Sequence, residues 1–154
     1  MRTRFESCLS ICFAAIFVSA VCLAAKTDET AIRKTIGVYI EGAIKGDGEL
    51  MAKAFSKDAY VYGFIDAESY NGPATNLFAW TSGNIPAKDL KYKIARIDIE
   101  GTIAMVRLEI DNWNERERSK PDAKEKLRKY TEMLSLLKSN NEWKIASKTF
   151  HTHK

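Results

Sequence analysis

Beyond its first 25 residues the chain has no cysteine, because Cys8, Cys12 and Cys22 all precede Lys26. Cysteine metal sites, disulfide frameworks and thiol catalysis are therefore excluded from the remainder. That remainder, roughly 130 residues, must stand on one hydrophobic core, and it is long enough to bury one as a single domain. A single-sign charge stripe with interleaved aromatics is also missing. Basic and acidic residues alternate along most of the chain, which argues against nucleic acid as a partner. There are no tandem repeats, no low-complexity tracts and no catalytic motif of high specificity. No residue pattern points to a cofactor. The one long apolar run, from about Cys8 to Leu23, is short for a membrane span, which takes roughly 20 apolar residues.

That run does have a reading. Arg2 and Arg4 precede it and the small pair Ala24-Ala25 follows it, the layout of a secretory signal. Residues 1–25 are thus expected to be a signal peptide, with an uncleaved anchor as the alternative. Cleavage would leave a domain of residues 26–154 in the periplasm or outside the cell, with no membrane attachment. It would also remove two arginines and one glutamate from the 24 basic and 20 acidic side chains of the whole chain, leaving a mild net charge of about +3.

The mature portion opens with helical spacing. Thr27 or Asp28 can cap a helix whose apolar residues Ile32, Ile36, Tyr39, Ile40, Ala43 and Ile44 recur every three or four positions, and Gly46 ends it. Asp47 can cap a second helix carrying Leu50, Met51, Ala54 and Phe55. A short aromatic strand, Ala59 to Phe64, is followed by a polar turn from Asp66 to Asn71. Pro73 then suits the first turn of a helix from Ala74 to Thr81, which Gly83 and Pro86 close. The rest is β-rich, with strands at Leu90–Ile99, Ile103–Trp113, Tyr130–Lys138 and Trp143–His151. A polar insertion at about 114–129 interrupts them; it buries no core face and reads as a solvated, mobile extension. Segregated helices followed by a meander indicate an α+β domain with helices packed on one face of a curved antiparallel sheet.

In the last hairpin Asn140-Asn141 suits a two-residue turn with positive φ. An unbroken register from that turn sets Tyr130 opposite His151. It gives Tyr130, Glu132, Leu134, Leu136 and Lys138 the same face as Trp143, Ile145, Ser147, Thr149 and His151.

Several ordered segments resemble a known family. They are Tyr39-Ile40-Glu41-Gly42, Gly46-Asp47 with Leu50-Met51 and Ala54-Phe55, Tyr60-Val61-Tyr62-Gly63, Gly72-Pro73, and Leu77-Phe78-Ala79-Trp80. Ile97 to Ala104, Asp111-Asn112-Trp113, Leu136-Leu137-Lys138, Glu142 to Ile145 and Lys148 to His151 complete the match. Together they resemble the "Putative lumazine-binding" group of the nuclear transport factor 2-like (SnoaL-like) superfamily over roughly Ala31 to His151. The resemblance implies a cone-shaped α+β fold and a homodimer paired through the sheet. It does not choose between isomerases, dehydratases and binding modules, because function resides in the site. The chain departs from the family in Glu132, where aspartate is common, and in the insertion between Trp113 and Tyr130.

Candidate chemistry gathers near the end of the chain. Imidazole titrates near neutrality, so His151, oriented by Glu132 and assisted by Tyr130, is the candidate acid or base of an isomerase or dehydratase. The plain alternative is that His151 merely caps the last strand. His151 and His153 face one side, but no third or fourth ligand of matching spacing accompanies them and no metal is expected. Tyr62, Phe64 and Trp80 can wall a site for a flat ligand, and Asp111, Asn112 and Trp113 stand at a strand exit where a cavity mouth would lie. The leading expectation is an exported protein that binds a small molecule in a hydrophobic, polar-tipped pocket, its physiological ligand unknown. The alternatives are an isomerase or dehydratase using His151, and a partner-binding domain whose cone is filled.

Overall fold

A computed structural model describes the backbone of residues 6–153 and the side chains of residues 26–153. The side chains of the segment read as a signal, its three cysteines included, lie outside the described residues. Helix α1 (Glu6–Lys45) is followed by α2 (Gly48–Ala52), β1 (Phe55–Ile65), β2 (Glu68–Pro73), α3 (Ala74–Gly83), β3 (Lys91–Glu100), β4 (Ile103–Asn114), β5 (Leu127–Ser139) and β6 (Glu142–His153). Among the described residues no helix is long and apolar enough to cross a membrane.

Local chemistry accounts for the helix ends. Gly46 adopts φ 62° where α1 stops, a conformation that costs glycine little. Asp47 then caps α2, its carboxylate accepting from the Leu50 amide at 2.9 Å. Asp28, in contrast, does not start α1, which runs continuously through it. It accepts instead from Lys138 Nζ at 2.6 Å and Trp143 Nε1 at 3.0 Å, tying the helix to the last hairpin.

The six strands form one sheet in the order β2-β1-β6-β5-β4-β3. The expected all-antiparallel meander is corrected in two respects. The segment read as a polar turn, Asp66 to Asn71, instead contributes to a strand, Glu68–Pro73, paired antiparallel to β1, and β1 lies parallel to β6. About half of the chain separates β1 from β6, so no hairpin turn dictates their relative direction. Ile32, Ile36, Tyr39, Ile40 and Ala43 of α1 share one core with Val61, Ala104, Val106, Leu108, Ile110, Leu134, Leu136 and Ile145 of the sheet. Alternate residues Ile103, Met105, Met133 and Leu137 remain exposed on the opposite face, as period-two alternation requires.

The insertion is exposed over residues 117–127, as expected of a solvated extension, but it is anchored to the domain at several points. Arg118 donates to the carbonyls of Asn84 at 2.5 Å and Gly46 at 3.0 Å, and Glu117 forms a bridge with Asn84. Arg128 is buried at one of its ends and Glu115 is partly buried at the other. The Arg118 guanidinium satisfies backbone carbonyls at two helix ends, so an almost wholly polar sequence is nevertheless fastened to the fold.

Candidate functional site

Two β-bulges decide which side chains face the helices. The Asn140-Asn141 turn forms as expected, with φ 51° and 63°, and the register runs unbroken from Ser139↔Glu142 to Leu136↔Ile145. The next pair is Ser135↔Ser147, leaving Ala146 as an extra residue. Everything beyond it shifts by one place and turns over. Tyr130 therefore pairs with Thr152, Glu132 with Phe150 and Leu134 with Lys148, while His151 pairs with Thr131. A second irregularity, between Ile110 and Trp113, holds Asn112 at φ 61° and brings Trp113 rather than Asn112 inward.

The inner face that results encloses a cavity of about 230 Å³. Its walls include Trp80 and Leu77 of α3, Val61 of β1, Trp113 of β4, Tyr130 of β5 and Phe150 of β6, with Lys148, Glu115 and Asn76 as polar members. Glycine is required beneath it, because a Cβ on Gly63 would collide with the Phe150 carbonyl and ring.

Two polar clusters meet this cavity. In the first, the Lys148 ammonium lies 2.5 Å from Glu132 Oε1 and donates to the Tyr39 hydroxyl at 2.7 Å. Tyr39 in turn donates to the Glu132 carboxylate, at 3.0 Å from both oxygens. Glu132 is 0% exposed and Lys148 only 4%, and a buried ion pair of this kind persists only when its hydrogen bonds are satisfied. The rings of Tyr39, Trp113 and Phe150 surround the ammonium, their centroids 5.2 to 5.3 Å away, within reach of cation–π attraction. Burial, and then the Glu132 charge, push the Tyr39 phenol well above its usual range.

In the second cluster the Tyr130 hydroxyl donates to Glu115 Oε1, and Arg128 Nε donates to Glu115 Oε2 at 2.7 Å. The remaining nitrogens of Arg128 grip Asp66 at 2.5 and 2.9 Å. Burial, followed by the bond to Glu115, raises the Tyr130 phenol above its ordinary value. The hydrogen bond from Arg128 is the main reason that the Asp66 carboxyl is held down to about 2.

The structure sorts the residues singled out in the sequence. Trp80, Trp113 and Tyr130 line the cavity, and Glu132 stands behind it as the partner of Lys148. His151 is on the opposite, exposed face of the sheet, separated from Glu132 by the Ala146 bulge. Tyr62 and Phe64 share that outer face, 48% and 52% exposed, with Phe64 beside His151 in the parallel ladder. Asp111 is also outside, in an ion pair with Lys129 at 3.1 Å. Asn112 lines a separate cavity of about 340 Å³ formed with Ile85 to Asp89, Asn114 and Arg116. Sequence reasoning missed Lys148, Phe150, Tyr39 and Glu115. Phe150 carried a signal: the apolar phase set by Trp143 and Ile145 changes at Phe150, the mark of a bulge between them. Among the described residues no three His, Asp, Glu or Cys side chains are grouped to hold a metal ion.

Comparison with known proteins agrees with this architecture. A nuclear transport factor 2-like protein of unknown function from Methylobacillus flagellatus KT is 35% identical, with 83% of this chain covering 94% of that one at a TM-score of 0.72. A second, from Shewanella baltica OS155, is 32% identical, covers 83% and 95% of the two chains and gives a TM-score of 0.71. The aldolase FrzH of a Cladobotryum species is 28% identical over 123 residues, 80% of this chain and 90% of that protein. A ketosteroid isomerase-like protein from Erwinia carotovora atroseptica, 16% identical, shares the fold at a TM-score of 0.65 over 81% of this chain and 95% of that one. The family described as "Putative lumazine-binding" matches residues 27–151, and the chain belongs to that family, within the nuclear transport factor 2-like fold.

Proposed function

We propose that this chain is an exported small-molecule-binding protein whose ligand occupies the cavity between Trp80, Trp113, Tyr130 and Phe150. One observation carries the reading. Lys148 holds a buried ammonium at the edge of an apolar cavity, with two of its three donors engaged by Glu132 and Tyr39. The third is available to an oxygen of a bound molecule. Pockets of this composition, apolar walls with a few fixed polar groups, are what ligand sites require. The name of the family supports the same class of function.

The domain of residues 26–154 is read as a cone of curved sheet closed by helices. Phe78 packs on Phe55 with ring centroids 5.2 Å apart and Trp143 is held at Asp28. Neither fills the cavity, which favours binding over the filled-cone alternative. Export rests on residues 1–25 read as a signal. Pairing as a homodimer is supported by Phe64, Met105, Met133 and Leu137, large apolar side chains exposed on the outer face, which a partner sheet could cover.

A second reading, an enzyme acting next to a carbonyl group, is favoured by one relative being named an aldolase. In that case Lys148 would hold the carbonyl oxygen as negative charge develops on it, with the Tyr39–Glu132 pair fixing its position. The acid or base expected at His151 is on the wrong face for this cavity.

A thermal-shift screen of small aromatic acids and ketones tests the binding reading. Saturable stabilisation is expected, about 2.7 kcal/mol at a hundredfold excess over Kd, and it should disappear when Trp113→Ala opens the wall. A complete absence of stabilising compounds contradicts it.

A further inference from the structure

We infer that the cavity reads its ligand at two ends, taking a flat ring molecule with an anionic or carbonyl oxygen at the Lys148 end and a hydroxyl or N–H donor at the Glu115 end. This inference rests on the small-molecule reading of the cavity above. Its basis is the direction in which each hydrogen bond runs.

At the first end, Tyr39 gives its only proton to Glu132 and accepts from Lys148. Glu132 accepts from Tyr39 and pairs with Lys148, and neither Glu132 nor Tyr39 is among the residues lining the cavity. Lys148 is the one member of this cluster among the lining residues, and an ammonium has donors but no acceptor, so this end calls for an acceptor. The second end has the opposite character. Tyr130 gives its proton to Glu115, Arg128 commits its nitrogens to Glu115 and Asp66, and the ionised Glu115 is acceptor-only. Each Glu115 oxygen receives one protein donor and retains a lone pair, and its side chain is 12% exposed. This end calls for a donor.

The two ends are joined through β5. Tyr130, which holds Glu115, and Glu132, which holds Lys148, are two residues apart on one face of that strand, a separation of about 7 Å. Between them are the rings of Trp113, Trp80 and Phe150 and the side chains of Leu77 and Val61, with the neutral Asn76 amide as a further polar group on the wall. Two fused rings fit such a span. Glu115 belongs to the charged insertion, so the insertion contributes one half of the recognition.

The test uses calorimetric titration of the purified chain with four probes that share a naphthalene body: 6-hydroxy-2-naphthoate, 2-naphthoate, 2-naphthol and naphthalene. The doubly substituted probe should bind at least tenfold tighter than either singly substituted one, with naphthalene weakest. Glu115→Gln, which puts an amide donor beside the ligand hydroxyl, should cut the hydroxyl's advantage to less than threefold and leave 2-naphthoate unchanged. Lys148→Met leaves Glu132 alone in the core, so it is made together with Glu132→Leu; that pair should remove the advantage of the carboxylate and keep that of the hydroxyl. Equal binding of all four probes would overturn two-ended recognition while leaving the cavity as a binding site. Failure of every probe to bind would overturn both.

Discussion

Lys148 and Glu132 are oppositely charged groups in the core, 4% and 0% exposed, and each is tolerable only because of the other. Lys148→Met leaves the carboxylate with Tyr39 alone and is expected to lower stability by about 3–5 kcal/mol, read as a fall in the urea midpoint at unchanged slope. The double substitution Lys148→Met/Glu132→Leu should recover most of that loss, because no charge is left unpaired. A double variant as unstable as the single would show that packing, not charge, dominates. His151→Ala, on the exposed outer face, should change stability by no more than about 0.5 kcal/mol and leave cavity binding intact. The titrating groups set opposite pH limits. Tyr39 and Tyr130 have folded-state pKa values raised above 10.0, through burial first and then their carboxylate partners. The stability they contribute is complete below pH 10 and is lost as pH rises beyond it; Tyr39→Phe should blunt that alkaline loss in a series of melting curves. Asp66 is depressed from 3.8 to about 2. Its contribution is complete above pH 4 and is lost as pH falls towards 2, and Asp66→Asn should flatten stability across that window.

At the scale of elements the site depends on where strands depart from regularity. Deleting Ala146 would restore an unbroken hairpin register and turn Lys148 and Phe150 outward, and the expected outcome is a protein that has lost ligand-induced stabilisation. Gly63→Ala would force β1 away from Phe150 and should cost about 1–3 kcal/mol. Arg118→Ala would leave the Gly46 and Asn84 carbonyls without their donor, a loss of about 1–3 kcal/mol by denaturant titration. These irregularities also explain what the sequence made legible. The helix apolar stripe, the Asp47 cap, the Gly46 stop, the Asn140-Asn141 turn and the four long strands were readable, because period and turn chemistry are local. The face of His151 was not, because one extra residue reverses every side chain beyond it and period-two reasoning assumes none. The apolar residue Phe150 out of phase with Ile145, and Trp113 out of phase with Ile110, were the visible traces. Strand β2 escaped because Glu68 to Gly72 is polar and lies at the sheet edge, where pairing with β1 rather than burial makes the strand. Glu115 and Arg128 were hidden in a charged run, because nothing local to it shows that Glu115 faces a cavity whose other walls include residues of β1, α3 and β6.

The whole molecule is a sheet with two different faces. One, packed with α1 to α3 in the core, holds the cavity, and the other exposes Tyr62, Phe64, Met105, Met133 and Leu137. If copies pair through that outer face, Met133→Lys should convert a dimer to a monomer in sedimentation equilibrium without disturbing cavity binding, because Met133 points away from it. An unchanged dimer would place the interface elsewhere. The cavity is the more consequential face, and its occupancy can be measured directly. Native mass spectrometry of the chain purified from its own host, compared with the denatured mass of the same sample, should show one retained small molecule per chain. The Lys148→Met/Glu132→Leu variant prepared alongside should have lost it. A wild-type chain that is empty, or a molecule retained equally by the variant, would contradict the assignment of Lys148 and its aromatic cavity as the ligand site.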